Sequence, residues 1–188
     1  MYLDKIVQSH RETAAREQRN LDDLVGQARA IPATRGFAEQ LVVGSREQLC
    51  VIAEIKRKSP SKGVLHPDLN AANISALYEQ GGASCLSVLT DEDFFGGSVE
   101  DLQNARASTS LPVIRKDFTV SEFDVVDARL MGADCVLLIA AALSNDELSR
   151  FFDLATHIGL DVLVETHDES ELDRALNVGA NIVGVNQR

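Results

Sequence analysis

The sequence predicts an α/β fold built on parallel strands, and three observations carry that expectation. Short runs of β-branched residues and leucine fall near residues 51–56, 85–89, 112–115, 135–139, 161–164 and 181–185, each too brief for a helix. Between them apolar residues recur at helical spacing, so strands and helices alternate every roughly 20 to 33 residues, room enough for helical crossovers between parallel neighbours. A tripeptide pattern, Gly82-Ala83-Ser84, Gly132-Ala133-Asp134 and Gly179-Ala180-Asn181, precedes three of the strands. Glycine there supplies the left-handed turn that stops a helix and feeds the next strand.

Residues 1–47 carry no strand pattern. Leu3, Ile6 and Val7 open one apolar stripe, Leu21, Leu24 and Val25 another, and Phe37 and Leu41 a third, with Pro32 as a break. We expect two or three short helices, forming an N-terminal helical extension to a body of residues 48–188. Within that body the first helix shows Leu69, Ala72, Leu77 and Tyr78, the second Val99, Leu102 and Ala105, and the third Phe123, Val126 and Leu130. Leu148, Phe151 and Ala155 mark the fourth, and Leu172, Ala175 and Leu176 the fifth. Four helix starts pair a cap with an acid three residues on: Ser98 with Asp101, Ser121 with Asp124, Ser144 with Glu147, Asp168 with Glu171.

A parallel sheet of this kind is either open and doubly wound or closed as a (β/α)₈ barrel. No Gly-x-Gly-x-x-Gly follows the first strand, and polar residues stand at the ends of many strands, which favours the barrel. The 188 residues, 45% hydrophobic and 25% charged, suit one globular domain. A net charge of −11 argues against general nucleic-acid binding, so an anionic ligand needs a local positive cluster. Cys50, Cys85 and Cys135 are odd in number, scattered and match no zinc spacing, as for buried thiols in the cytoplasm. No run of about 18 apolar residues and no signal-type segment appears, so neither a membrane span nor export is expected.

The local positive cluster is Val51-Ile52-Ala53-Glu54-Ile55-Lys56-Arg57-Lys58-Ser59-Pro60-Ser61-Lys62-Gly63. Strand side chains alternate, so Ile52, Glu54 and Lys56 share one face, and two opposite charges leave the strand at its carboxyl end, where parallel α/β proteins carry their active sites. The pattern recurs. Lys116 shares a face with Pro112 and Ile114, Glu165 with Leu163, and Asn186 and Arg188 with Gly184. Five charged side chains and an amide thus converge on one rim. A lysine and a glutamate there form an acid and base pair: neighbouring cations lower the first pKa, and an apolar wall raises the second. Lys56, Lys58 and Arg188 would clamp phosphate or carboxylate, with Ser59 and Ser61 as hydroxyl donors. Phe94 and Phe95 either pack on the core or present one ring to a ligand. His10 and His157 fall in helical stretches and His66 and His167 in strand-to-helix loops. No acid–histidine pairing is visible, so a metal site is not expected.

Taken in order, Ala53 to Gly63, Ser87-Val88-Leu89-Thr90-Asp91 with Phe95-Gly96-Gly97-Ser98, Leu111 to Phe118, Leu163-Val164-Glu165, and Val183-Gly184-Val185-Asn186 with Arg188 resemble the indole-3-glycerol phosphate synthase family. The resemblance implies a (β/α)₈ TIM barrel with an N-terminal helical extension. It also implies a carboxy-lyase reaction of tryptophan biosynthesis: ring closure, decarboxylation and dehydration of 1-(2-carboxyphenylamino)-1-deoxyribulose 5-phosphate, with no metal and no organic cofactor. By the same resemblance Lys116 is the general acid, Glu165 the general base, and Glu54 and Lys56 the assisting pair. Ser59, Phe95, Asn186 and Arg188 correspond to substrate-binding positions.

The family continues through a seventh and an eighth strand, and here the sequence ends at Arg188. Barrels of this type take about 250 residues. The expectation is therefore an incomplete barrel of about six of eight βα units, a fragment truncated after the sixth strand. A monomer or a weak homo-oligomer is expected, with the open strand edges as what would drive association. The alternative to the enzyme is a non-catalytic partial barrel, inactive for want of the phosphate-binding strands. A phosphate-binding isomerase barrel is weaker, because paired lysines leave the first and third strands.

Overall fold

A computed structural model describes residues 2–46 and 49–187. Three helices come first, α1 (Tyr2–Ala14), α2 (Leu21–Ala30) and α3 (Phe37–Gly44), followed by β1 (Ile52–Ile55) and two two-residue strands, β2 (Lys58–Ser59) and β3 (Gly63–Val64). Then come α4 (Ala71–Gln80), β4 (Cys85–Leu89), the short α5 (Glu92–Phe95), α6 (Val99–Ser108), β5 (Val113–Lys116) and α7 (Glu122–Met131). The chain closes with β6 (Cys135–Ile139), a 3₁₀ turn (Ala140–Ala142), α8 (Asn145–His157), β7 (Asp161–Thr166), α9 (Glu169–Asn177) and β8 (Ile182–Val185). All six long runs read from the sequence are strands, and the helices between them fall where the apolar spacing put them. The hairpin β2–β3 is an addition, since Lys58-Ser59 and Gly63-Val64 show no strand-like alternation. Among the described residues no helix is long and apolar enough to cross a membrane.

The chain divides into two compact units. One comprises Thr34–Asp117 and Met131–Cys135. Its strands lie in the order β1-β4-β5, with both pairs parallel. The register sets Glu54 beside Ser87 and Lys116 beside Leu89. Helices α4 and α6 pack on each other and on these strands, and α3 packs on β4. Phe37, Leu86, Val88, Leu102 and Val113 are fully buried there. The stripe expected of α4 is displaced: Leu77 is 63% exposed, while the small Ala71 and Ser75 are buried. Ser75 tolerates burial because its hydroxyl donates to the Ala71 carbonyl at 2.7 Å.

Asp134, wholly buried, accepts the Arg35 N–H at 2.8 Å, the Val113 N–H at 2.8 Å and the Arg106 guanidinium. Arg35 donates onward to the carbonyls of Thr109 and Leu111, both at 2.9 Å. At the start of β1, Val51 donates its N–H to the Ser84 hydroxyl at 3.3 Å and accepts the Ser84 N–H at 2.8 Å.

The second unit comprises Met1–Ala33, Phe118–Leu130 and Val136–Arg188. Its strands follow the order β6-β7-β8, with β7 and β8 parallel and Glu165 in register with Gly184. α8 and α9 pack on β7, and Val136, Leu138, Leu148, Phe151 and Val164 form the core. Along β7, Val162, Val164 and Thr166 are buried while Leu163 and Glu165 are half-buried, as expected of a strand with two unlike faces. α1 and α2 are held by arginines. Arg11 grips Glu147 at 2.7 and 3.1 Å and the Ala142 carbonyl at 3.1 Å, and Arg19 grips Asp127 through two 2.9 Å contacts. Arg129, buried on α7, donates to the carbonyls of Pro32 at 2.5 Å and Ile158 at 3.1 Å.

The four expected caps all form. Ser98, Ser121 and Asp168 each accept the N–H three residues on, and Ser144 with Glu147 makes a reciprocal capping box. Gly82, Gly132 and Gly179 have φ of 86°, 100° and 87°, the left-handed turns inferred for them.

Candidate active site

In the first unit the site residues stand at the carboxyl ends of β1, β4 and β5. On β1 the alternation holds: Ile55 is buried, while Ile52 and Glu54 are exposed. Lys56 continues that exposed face and its ammonium donates to the Glu54 carboxylate. With the Glu54 side chain 37% and the Lys56 side chain 25% exposed, such a pair adds little to stability, on the order of 1 kcal/mol or less. Its consequence is chemical. Glu54 anchors a cation where β1 opens to solvent, and Tyr78 fixes the same turn of backbone by donating to the Glu54 carbonyl at 3.1 Å.

The next basic residues behave differently. Arg57 points the other way and forks onto Asp101, with further donation to the Leu69 carbonyl at 2.9 Å. Lys58, expected as an anion clamp, donates to the Asp93 carbonyl at 2.7 Å and so holds α5. Ser59 lies half-buried in the β2–β3 hairpin, where its hydroxyl accepts the Lys62 N–H at 3.3 Å.

Phe95 closes α5. Asp91 caps that helix, accepting the N–H groups of Phe94 at 2.6 Å and Phe95 at 3.0 Å. Both rings are half-buried. Gly96 then turns left-handed at φ 63°, and Gly97 lies so close to β4 that a Cβ would stand 2.1 Å from the Leu89 carbonyl oxygen. Only glycine fits, so the placement of Phe95 depends on it.

Lys116 is the last residue of β5 and is half-buried. Its neighbour Arg115 faces the opposite side of the strand and is buried. It donates to the Thr90 hydroxyl at 3.1 Å and to Asp117 at 3.0 Å, and Thr90 donates to Asp117 in turn. Sequence reasoning took up Lys116 and passed over this triad. The alternation of Arg115 against Lys116 carried the signal.

In the second unit Glu165 stands one residue before the end of β7, its side chain 13% exposed. Asn186, just past β8, donates from Nδ2 to Glu165 Oε1 at 3.0 Å, and its N–H bonds the Thr166 carbonyl at 2.9 Å. Two predicted residues are thus joined. The expectation that no histidine pairs with an acid is corrected here. His167 Nδ1 lies 3.0 Å from Glu171 Oε2, which also accepts the His167 N–H at 2.8 Å, and Nε2 lies 3.8 Å from Glu165 Oε1. The pairing depends on the chain turning from β7 into α9, which brings residues 165, 167 and 171 onto one side. Arg188 lies outside the described residues.

Solved structures with a similar fold include the carboxyl transferase domain of Rhizobium etli pyruvate carboxylase, 16% identical over 72% of this chain with a TM-score of 0.54. A variant of Rhizobium etli pyruvate carboxylase crystallised without acetyl coenzyme-A is 15% identical over 77% of this chain, with a TM-score of 0.55. This chain spans 27% and 17% of those two chains, and at such identity the likeness is one of fold alone. The match that bears on chemistry is to the family described as indole-3-glycerol phosphate synthase, whose model covers residues 3–188. That span takes in every strand and the helices before them, and the chain belongs to the indole-3-glycerol phosphate synthase family.

Proposed function

We propose that this chain acts as an indole-3-glycerol phosphate synthase, a carboxy-lyase closing the indole ring of 1-(2-carboxyphenylamino)-1-deoxyribulose 5-phosphate. In this reading residues 48–188 supply a partial (β/α) barrel and residues 1–47 its helical extension. The observation that carries it is the family match over residues 3–188, which includes Glu54, Lys56, Lys116, Glu165 and Asn186 at the carboxyl ends of their strands. Three free thiols and a net charge of −11 suit a cytoplasmic enzyme that takes a small phosphorylated substrate.

The roles follow from what the reaction demands. A ketone must accept a carbon nucleophile, so Lys116 protonates the ribulose carbonyl oxygen as the carbon–carbon bond forms. Loss of carbon dioxide returns electrons to the ring. Dehydration then needs a proton removed and a hydroxyl expelled as water, work assigned to Glu165 as base and to Lys116 as acid once solvent has returned the proton that it gave to the carbonyl oxygen. Lys56, held by Glu54, is the cation for a substrate carboxylate. Ser59, Phe95 and Arg188 complete the binding positions, and Asn186 orients Glu165.

Supplying the substrate and following indole fluorescence tests the reading. Product formation is expected. A folded chain, verified by circular dichroism, that makes no product rejects it.

A further inference from the structure

An acid at a strand end must be aimed, and in the first unit one buried hydroxyl meets both neighbours of Lys116. β5 ends at Lys116, and the last register pair between β4 and β5 sets it beside Leu89. Thr90, the next residue after β4, touches three consecutive residues of the neighbouring chain. Its N–H donates to the Lys116 carbonyl at 3.4 Å. Its hydroxyl accepts the Arg115 Nε–H at 3.1 Å and donates to Asp117 Oδ2. Arg115 closes the ring by donating to the same Asp117 oxygen at 3.0 Å.

The direction of each bond in this ring is set by chemistry. A guanidinium N–H only donates and an ionised carboxylate only accepts, so the hydroxyl between them takes one bond and gives the other. Thr90, Arg115 and Asp117 are all buried, where leaving such a bond unmade is costly. Arg115 and Asp117 meet the same oxygen, so both side chains leave the backbone on the side away from Lys116, in keeping with strand alternation. Backbone on either side of the lysine is thus pinned at one atom, and the long bond to its own carbonyl is reinforced from the same residue.

From this geometry we infer that Thr90, through its hydroxyl, is a positioning residue for Lys116. It fixes the direction in which the lysine side chain leaves the end of β5, so that the ammonium begins each turnover from one place. The inference rests on Lys116 being the acid of the proposed reaction. The aim of the lysine can be read without any turnover. A ring that merely glued β4 to β5 would affect melting and leave both the Lys116 signal and the kcat of the folded chain alone.

Two measurements on the whole chain decide it. In ¹H–¹³C spectra of chain labelled at lysine Cε, the Lys116 signal is the one that Lys116→Met removes. Thr90→Val, which keeps the shape and deletes the hydroxyl, is expected to displace that signal and leave the signal of the exposed Lys62 in place. Thr90→Ser should restore it. An unmoved Lys116 signal in Thr90→Val, or a displacement shared by all lysines, overturns the proposal. In the ring-closure assay, below the melting range, Thr90→Val is expected to lower kcat roughly tenfold with KM within about twofold, as for a misplaced acid, and Thr90→Ser to recover most of the loss. An unchanged kcat overturns it. So does a loss confined to KM, which points instead to Phe95 on the loop that follows Thr90. If Thr90→Val does not fold, Thr90→Ala is measured with the same expectations, and if neither folds, the hydroxyl is a folding determinant and the proposal falls. A parent chain without turnover rejects the enzymatic reading, and the response of the Lys116 signal to loss of the hydroxyl still decides the positioning.

Discussion

Asp134 and Val113 hold each other twice: the Asp134 N–H donates to the Val113 carbonyl at 2.8 Å, and the Val113 N–H donates to the Asp134 carboxylate at 2.8 Å. Ser84 and Val51 repeat the arrangement with a hydroxyl in place of the carboxylate. In both cases the polar residue ends a Gly-Ala-x tripeptide and faces the start of the preceding strand.

Asp134→Ala is accordingly expected to cost about 3–5 kcal/mol, because it strands Arg106, the buried Val113 N–H and the part-buried Arg35 N–H. Ser84→Ala, which removes one neutral bond, should cost only about 0.5–1.5 kcal/mol. Urea midpoints for the two variants check the difference. Equal losses would count against the carboxylate's larger part.

Gly97→Ala has no room, since the new carbon would meet the Leu89 carbonyl oxygen at 2.1 Å and the Thr90 nitrogen at 2.9 Å. A loss of about 1–3 kcal/mol is expected, as for other overpacked sites, with a raised KM because Phe95 is two residues away. Thermal melting and steady-state kinetics measure both effects.

Acid should loosen the second unit through Glu147. The Arg11 guanidinium holds its carboxyl at about 2, well below the usual 4.5, with the Ser144 N–H assisting and burial opposing. A depressed folded-state pKa stabilises the native chain above the unfolded value. That stabilisation is therefore complete above about pH 4.5 and is lost as pH falls toward about 2. Glu147→Gln should flatten the fall in stability across this window, measured by denaturant titration at each pH. At pH 7 the same variant is expected to lose about 1.5–3 kcal/mol, the scale of a charged hydrogen bond.

Neighbours on β5 should give opposite phenotypes. Lys116→Met is expected to lower turnover by roughly 10²- to 10⁴-fold with little change in melting, as for a positioned acid. Arg115→Met should instead lower stability by about 3–5 kcal/mol, because it leaves Asp117 buried beside Thr90 without its guanidinium. A stable Arg115→Met chain, or a Lys116→Met chain within tenfold of the parent, would contradict this division.

The strands were legible because each is a brief β-branched run between turn signals, and the caps because Ser98, Ser121, Ser144 and Asp168 stand three residues before an acid. Side-chain alternation also placed Glu54 with Lys56. Long-range partners were less legible. Nothing local says that Arg57 turns to Asp101 while Lys56 turns to Glu54, or that Lys58 holds the Asp93 carbonyl. Helix faces misled where small residues make the contact, as in α4, whose Leu77 remains exposed. His167 escaped notice because its partners lie two and four residues away across a strand-to-helix turn, a distance at which neither strand nor helix periodicity applies.

The reciprocal bonds of Ser84 and Asp134 also act as index marks. Parallel strands can slide, and a slip of one residue would turn every side chain to the other face. Lys116 would then trade places with Arg115. Because Asp134 engages Val113 through backbone and side chain together, β5 has a fixed starting point three residues before Lys116. The face to which Lys116 belongs is chosen at the far end of the strand, by a wholly buried carboxylate.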